Sequence, residues 1–491
     1  MADSPPSLSW VHAITTRDGT LTKDSKMVNC FIEQTENGPA IVKRPGSSYV
    51  STRTGIPQGQ FFPYEGVSPS LFGYYIVNDT IYQYEQPTFS LEIPNGTLGF
   101  PYNIVTGPSL SPGTYSVYAI IQSSGPRTAG PPGPGGGLWV FNGATLTPAG
   151  SGYPSGSALP GVAVLDGITY VMTAVGNIQG SAINDPTTWP ALDFIGPTGA
   201  VGVGAGVWRH LNYIVAYYTQ GIQVYYDANA APNGQGIALG PVTNAAWSTG
   251  CLSYYSLAEI NDTTFFVAQD NVFGRTVQAM SGITLNRVST PFVEKILARV
   301  PVTNAAGSIL NIWSFAMRIA GHSFYVMTLH DIGITLAFDI DQQQWQVWTS
   351  VVGGVEQYFI GRYYLNNASG DFLQDLTTGQ TMQFSQSVYT DATGPLPVTC
   401  VSKNYDWGSL KWKRFAALSQ LADTATTVID VSFSDDDYNT FSTPRTIDLS
   451  THRKQIRNCG SARRRAWKMF HQDNTPLRLW EVELDMIGLS R

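Results

Sequence analysis

The residues of this 491-residue chain whose types could do chemistry are six histidines, four cysteines and a scattered set of carboxylates. His12, His210, His322, His330, His452 and His471 never pair at metal-ligand spacing on one helix face, and no H-E-x-x-H occurs, so catalytic zinc is not signalled. Cys30, Cys251, Cys400 and Cys459 form no C-x-x-C pair and sit beside no His cluster. They read as buried thiols of a protein assembled in a reducing cytosol. There is no G-x-S-x-G elbow for a hydrolase nucleophile. The glycine-rich passages 123–137 and 195–206 lack G-K-[ST] and a following helix, so neither reads as a phosphate-cradling loop. Asp and Glu pairs are plentiful, and glycoside cleavage by such a pair depends on a carboxylate separation that spacing leaves open. The sequence predicts no catalytic residue, no metal and no cofactor, hence a protein that is not an enzyme.

Two segments stand out from this background. Ser434 to Phe441, SDDDYNTF, is similar to the Asp-box S-x-D-x-G-x-T-W of sialidases. Ser434, Asp436, Thr440 and Phe441 match, whereas Tyr438 replaces the glycine and Phe441 the tryptophan. Such a motif is a structural turn: the carboxylate accepts from backbone amides and the aromatic packs beneath. The second segment, 453–468, is basic. Arg463, Arg464 and Arg465 are consecutive, so on a strand they alternate faces and cannot all point one way. A solvated face or a protein contact is expected of them ahead of contact with DNA phosphates.

The elements that must carry these residues follow from composition. Charged residues are 13% of the chain, about half the usual share, against 43% hydrophobic and 12% aromatic. With 49 Gly, 30 Pro and 25 Tyr, the composition fits many short strands joined by tight turns, not helix bundles. So little charge suggests a surface largely covered by partners. The net charge of −7 does not mark a nucleic-acid-binding protein. Residues 394–491 hold 14 Lys/Arg and 11 Asp/Glu, whereas 1–393 hold 14 and 24. This contrast places a boundary near Gly394-Pro395-Leu396-Pro397. No secretory signal opens the sequence and no membrane span is expected.

Alternating aromatic-rich runs flanking a turn recur at 71–85, 137–148, 162–173, 211–227, 263–280, 322–340 and 357–376. Asn78-Asp79, Asn142-Gly143 and Asp166-Gly167 supply hairpin turns. Residues 342–348, QQQWQVW, also look like a propeller turn. Radial repetition of small antiparallel sheets predicts an all-β chain with a β-propeller-like body of six to seven blades. A tandem of β-sandwiches is the alternative. The expected organisation is an N-terminal segment 1–50 packing on or closing the body, a propeller-like body 51–393 with Pro/Gly-rich insertion loops, and a C-terminal β-sandwich 394–491.

Several motifs in order resemble the tail nozzle proteins of short-tailed bacteriophages, also called packaged DNA stabilisation proteins. They are DSKMVNCFIEQTENGPAIVKRPG at 24–46, NIQGSAINDPTTWPALDF at 177–194, QGIQVYY at 220–226, RVSTPFVE at 287–294, GSARRR at 460–465 and EVELD at 481–485. The passage after Phe194 departs from that pattern in being glycine-rich. The resemblance implies a propeller-like body and a homohexamer around a channel. It further implies docking to portal-adaptor proteins, contact with tail fibres, spikes or a plug, and genomic DNA passing without sequence-specific binding. Such a protein sits in the virion tail after assembly in the host cytoplasm. Two other functions compete: a receptor-binding or glycan-active tail spike or fibre protein, and a cellular propeller scaffold. Oligomeric symmetry separates the first of these from a nozzle, and presence in the virion separates the second.

Overall fold

A computed structural model describes residues 7–488 except 37, 64–72, 85, 95–100, 107–117, 124–136, 200–201, 230–235, 271, 273, 302–310 and 368. The Pro/Gly run 124–136 thus lies outside the described residues. The chain is nearly all β, with 56% strand and 3% helix.

Six four-stranded antiparallel sheets follow one another in sequence, at 57–92, 102–148, 158–195, 204–247, 250–287 and 312–352. They are blades 1 to 6 of a propeller; blade 5 carries two short first strands in place of one. A seventh sheet is composite: strands Gly361–Asn367, Gly370–Asp375 and Thr381–Ser385 are completed by Gly46–Tyr49 from the N-terminal segment. The first strand of each blade lies beside that of the next, and Gly361–Asn367 returns to Pro57–Phe61, so the ring is closed. Each aromatic-rich hairpin of the sequence falls in a different blade. Asn78 (φ 49°) with Asp79 (φ 58°), and Asp166 (φ 48°) with Gly167 (φ 82°), adopt the left-handed pairs that match strand twist.

Buried glutamines stitch blade to blade. Gln374 of blade 7 donates to the Ile76 carbonyl at 3.1 Å and accepts from the Gly59 amide at 3.1 Å, both in blade 1. Gln122 of blade 2 donates to the Leu159 carbonyl of blade 3 at 3.0 Å. Gln58 holds the blade 1 turn through Asp79, which also accepts from the Tyr102 hydroxyl of blade 2 at 2.7 Å. These amides satisfy inner-strand groups that a wholly apolar blade interface would leave orphaned.

The second unit is a β-sandwich, and it is not made of 394–491 alone. Its first sheet mixes N-terminal strands Ser7–Leu8, Cys30–Thr35 and Gly38–Lys43 with Lys413–Ala422, Gln455–Arg457, Ser461–Ala462 and Arg478–Gly488. Its second sheet contains Lys26–Val28, Val398–Val401, Ala466–His471, Val428–Ser434 and Arg445–Asp448. Both sheets bury one core, including Trp10, Ile41, Cys400, Leu418, Trp467 and Val482. Charge balance along the sequence cannot reveal such a mixed sheet, because pairing is set by apolar faces and not by order along the chain. Lys26–Val28 also pairs in parallel with the outer strand Gln344–Val352 of blade 6, through Val28 and Val347. Propeller and sandwich therefore share a continuous sheet.

The chain crosses between these layers at Asn29, Arg44 and Asp391, and Arg44 bonds both of the others. Asn29 (φ 56°) separates Lys26–Val28 from Cys30–Thr35, a left-handed site that asparagine tolerates. Its carboxamide donates to Thr349 Oγ1 (2.7 Å) and the Pro397 carbonyl (2.8 Å), and its Oδ1 accepts from Arg44 Nε (3.1 Å). Arg44, fully buried, donates to both Asp391 oxygens at 3.0 and 2.6 Å and to the Thr349 carbonyl at 3.0 Å. Its guanidinium also lies over the Trp348 and Phe359 rings. Gly46 then passes so near Thr390 that an added Cβ would stand 2.1 Å from the Thr390 carbonyl oxygen.

No helix among the described residues is long and apolar enough to cross a membrane. The α-helix Pro291–Leu297 begins with Thr290 as N-cap and proline at its first position.

Removing one partner of a buried, fully bonded ion pair leaves the other charge uncompensated. Arg44→Met should lower unfolding free energy by about 3–5 kcal/mol in equilibrium denaturation. An unchanged midpoint would show that the junction does not depend on this pair.

Candidate functional site

Ser434 to Phe441 follows strand Val428–Ser434 and forms a tight turn in which Asp437 (φ 64°) and Tyr438 (φ 66°) are left-handed. Asp436 accepts from the Ser434 hydroxyl at 2.8 Å, the Thr440 amide at 2.9 Å and the Thr440 hydroxyl at 2.5 Å. Those bonds, Thr440's first, hold its carboxyl down at about 2. Phe441 packs against a small cluster of Val401, Tyr438 and Ala466. The structure thus brings all four residues of the motif into one turn. Beside them, Asp437 receives a bidentate contact from Arg17 and bonds Asn404, which also draws its carboxyl down to about 2. Nothing in the motif's own spacing could have found the Arg17 contact, because Arg17 comes from the opposite end of the chain.

The three arginines separate. Arg463 and Arg464 are exposed; Arg463 lies over the Trp412 ring at 5.7 Å, and Arg464 approaches Asp437 at 3.8 Å. Arg465 is buried. It donates to Asp435 at 2.6 and 2.8 Å and to the Cys459 carbonyl, stacked between Phe433 and Phe415. The expectation of a protein contact at Arg465 is therefore corrected: Arg463 and Arg464 lie in an exposed bend, and the chain rejoins the sheet at Arg465, which bridges Tyr405 and turns its side chain into its own domain's core.

A metal-like grouping occurs among the described residues at His322, Asp339 and Asp341, whose ligand atoms lie within 4.8 Å of one another. His322 Nδ1 is 2.9 Å from Asp339, and that contact raises its pKa against the opposing effect of burial. Asp339 also accepts from the Asp341 and Gln342 amides, and Asp341 from the Ser323 amide. These bonds make the group a turn of blade 6.

The propeller axis holds a cavity of about 500 Å³ to which all seven first strands contribute, including Gln60, Asn103, Val162, Trp208, Glu259, Trp313 and Tyr363. Its volume is that of a small-molecule site. Tyr254, Tyr255 and Tyr364 complete an aromatic wall. Glu259, the one carboxylate among the described lining residues, accepts from Trp208 Nε1 at 3.0 Å. Sequence reasoning did not single out this cavity. Its residues are far apart in the chain and become neighbours only when the ring closes.

The lowered carboxyl pKa of Asp436 sets a direction in pH. The bonds it accepts stabilise the fold above the ordinary carboxyl value near 3.8 and lose that contribution as pH falls through about 2. Asp436→Ala should lower the thermal midpoint at pH 5 to 7, with the gap to wild type closing toward pH 2. In the same assay Arg465→Ala should cost about 2–3 kcal/mol, since its partner Asp435 keeps some solvent, and Arg463→Ala should stay within about 0.5 kcal/mol.

Residues 168–389 match the family model described as bacteriophage P22 Gp10, β-propeller. No curated protein matches the sequence. Solved structures of low similarity include an exo-β-1,3-galactanase of Phanerochaete chrysosporium, at 10% identity over 78% of this chain and 95% of that one, TM-score 0.28. BamB of Moraxella catarrhalis has 11% identity, 77% and 100% coverage and a TM-score of 0.34. The computationally designed Ika8 protein has 12% identity, 73% and 97% coverage and a TM-score of 0.35. None of the three bears on activity. The family match covers 222 of the chain's 491 residues, somewhat under half of it.

Proposed function

We propose that this chain is the nozzle of a short phage tail, a non-enzymatic protein that retains the packaged genome and forms the channel for its ejection. The observation that carries the reading is the family match over 168–389, which supports a structural phage tail protein carried in the virion. A DNA channel then has to lie between copies. The propeller's own axis is a cavity of about 500 Å³ walled by aromatic side chains, and it has no room for a duplex whose major groove alone is about 12 Å wide. A ring of copies, six in this reading, supplies such a bore.

Charge supports the same arrangement. A channel that DNA slides through should repel or ignore phosphates, since phosphate contacts release counterions and hold the duplex. The first 393 residues carry the acidic excess, 24 acidic against 14 basic, and suit the wall. The exposed Arg463 and Arg464 then belong at a subunit or portal-adaptor contact, away from the bore. The axial cavity does not suit glycoside cleavage, which normally needs two carboxylates, because Glu259 has no second one beside it among the described lining residues.

Mass photometry of assembled protein should show six copies; a stable trimer would favour a spike or fibre. Arg463→Ala with Arg464→Ala should impair ring formation or docking and leave a negligible affinity for duplex DNA unchanged. Tight, salt-dependent DNA binding that vanishes in the double variant, with rings intact, would place these arginines in the bore.

A further inference from the structure

Blades 4 and 5 bring one carboxylate against a run of rings at the axial cavity. Glu259, on a short first strand of blade 5, is exposed and lines that cavity. Its Oε2 accepts from Trp208 Nε1 at 3.0 Å and from the Thr264 hydroxyl at 3.5 Å. Both donors are neutral, and no ion pair reaches Glu259 among the described residues. Trp208 lies 6.2 Å from Tyr254, and Tyr254 5.9 Å from Tyr255, centre to centre, with interplanar angles of 58° and 82°. All three rings line the cavity, and Trp208 and Tyr255 are only half-buried. Rings tilted in this way turn their faces in different directions and form a corner, whereas a flat stack would cover them.

Two arginines bear on the charge of this corner. Arg209 also lines the cavity, but its Nε and Nη1 are committed to the Leu211 and Val164 carbonyls at 2.9 and 3.3 Å. Arg362 of blade 7 stacks on Trp313, which stacks in turn on Tyr255. Its charge therefore weighs on the Tyr255 end and leaves the Trp208 end to Glu259. The face of an aromatic ring is its negative region, and a carboxylate without a counter-ion beside such faces attracts a cation. We propose that the corner of Trp208, Tyr254 and Glu259 binds a small free organic cation with a quaternary ammonium head. The rings hold the alkylated head against their faces, and Glu259 answers its charge. A hard metal ion needs more oxygen ligands than one carboxylate offers. A neutral ligand would leave the charge of Glu259 unanswered. The corner belongs to a single copy, so the proposal goes beyond the nozzle reading and is independent of ring assembly.

The experiment titrates the full chain with choline chloride, with its neutral isostere 3,3-dimethylbutan-1-ol and with potassium chloride, reading calorimetric heat and tryptophan fluorescence. Choline should bind saturably, with the isostere and the potassium salt at least about tenfold weaker. Glu259→Gln should lose about tenfold or more in choline affinity at an unchanged thermal midpoint, since the carboxylate is exposed and the amide oxygen can still accept from Trp208. Trp208→Leu should lose choline affinity as well; if that variant unfolds, Glu259→Gln decides alone. Vesicles of phosphatidylcholine should not sediment the chain, and cosedimentation would make a lipid headgroup the ligand and overturn the reading of a free cation. The proposal also falls if choline does not bind saturably, if the isostere or the potassium salt binds equally well, or if Glu259→Gln leaves choline affinity untouched.

Discussion

The buried pair of Arg44 and Asp391 is the constraint on which the architecture turns. Each residue lies where the chain passes between sandwich and propeller, Arg44 on the way out and Asp391 on the way back. Asn29 joins Arg44 from the point where the chain changes sheets; both bond Thr349 at the edge of blade 6, and Asn29 also bonds the Pro397 carbonyl at the start of the sandwich strand. A charge this deep is costly unless every donor is used, and here the guanidinium has carboxylate, carboxamide and carbonyl acceptors. The pair therefore does more than add stability. It fixes the positions of three crossovers at once, and with them the register of the strand that closes blade 7.

That closure explains how a low-charge chain builds a ring from weakly similar blades. Each blade buries its apolar faces against its neighbours, so no blade is self-sufficient. Shape alone would allow slippage along inner strands, and the buried glutamines supply direction. Gln58, Gln122 and Gln374 each bond specific backbone groups or turn residues of their own or the adjoining blade. The aromatic hairpins supply bulk, as in the T-shaped packing of Phe61 and Tyr74 on Phe141 across blades 1 and 2.

Much of this was legible in the sequence for a physical reason. Hairpin turns such as Asn78-Asp79 and Asp166-Gly167 are written locally, because only certain residues accept left-handed geometry. The turn at Ser434 to Phe441 was legible likewise, since its donors and acceptors lie within a few residues. What was not legible depends on contacts hundreds of residues apart. The four N-terminal strands in the sandwich follow from no nearby signal. Arg465 is indistinguishable from Arg463 and Arg464 in sequence, and only the bend at 463–464 and the bridge to Tyr405 bring it over Phe415 and Phe433 into the core. The axial cavity exists only once seven distant strands converge. The seven-residue helix Pro291–Leu297 was not read from the sequence, because it is too short to stand out in a β-rich background.

The sharing of both units by the two chain ends has a consequence for synthesis. Strands 7–43 emerge from the ribosome first, and most of their partners, among them Val398–Val401, Lys413–Ala422 and Arg478–Gly488, emerge last. The outer strand Gly46–Tyr49 likewise waits for Thr381–Ser385. Throughout elongation the nascent chain holds open strand edges at its leading end while blades 1 to 6 form behind it. Unpaired edges invite pairing with other chains, and many copies made together would meet in that state. Pro39 at the head of Gly38–Lys43 and the run Gly46-Ser47-Ser48 interrupt the apolar character of that waiting edge, which limits how far another chain could pair along it.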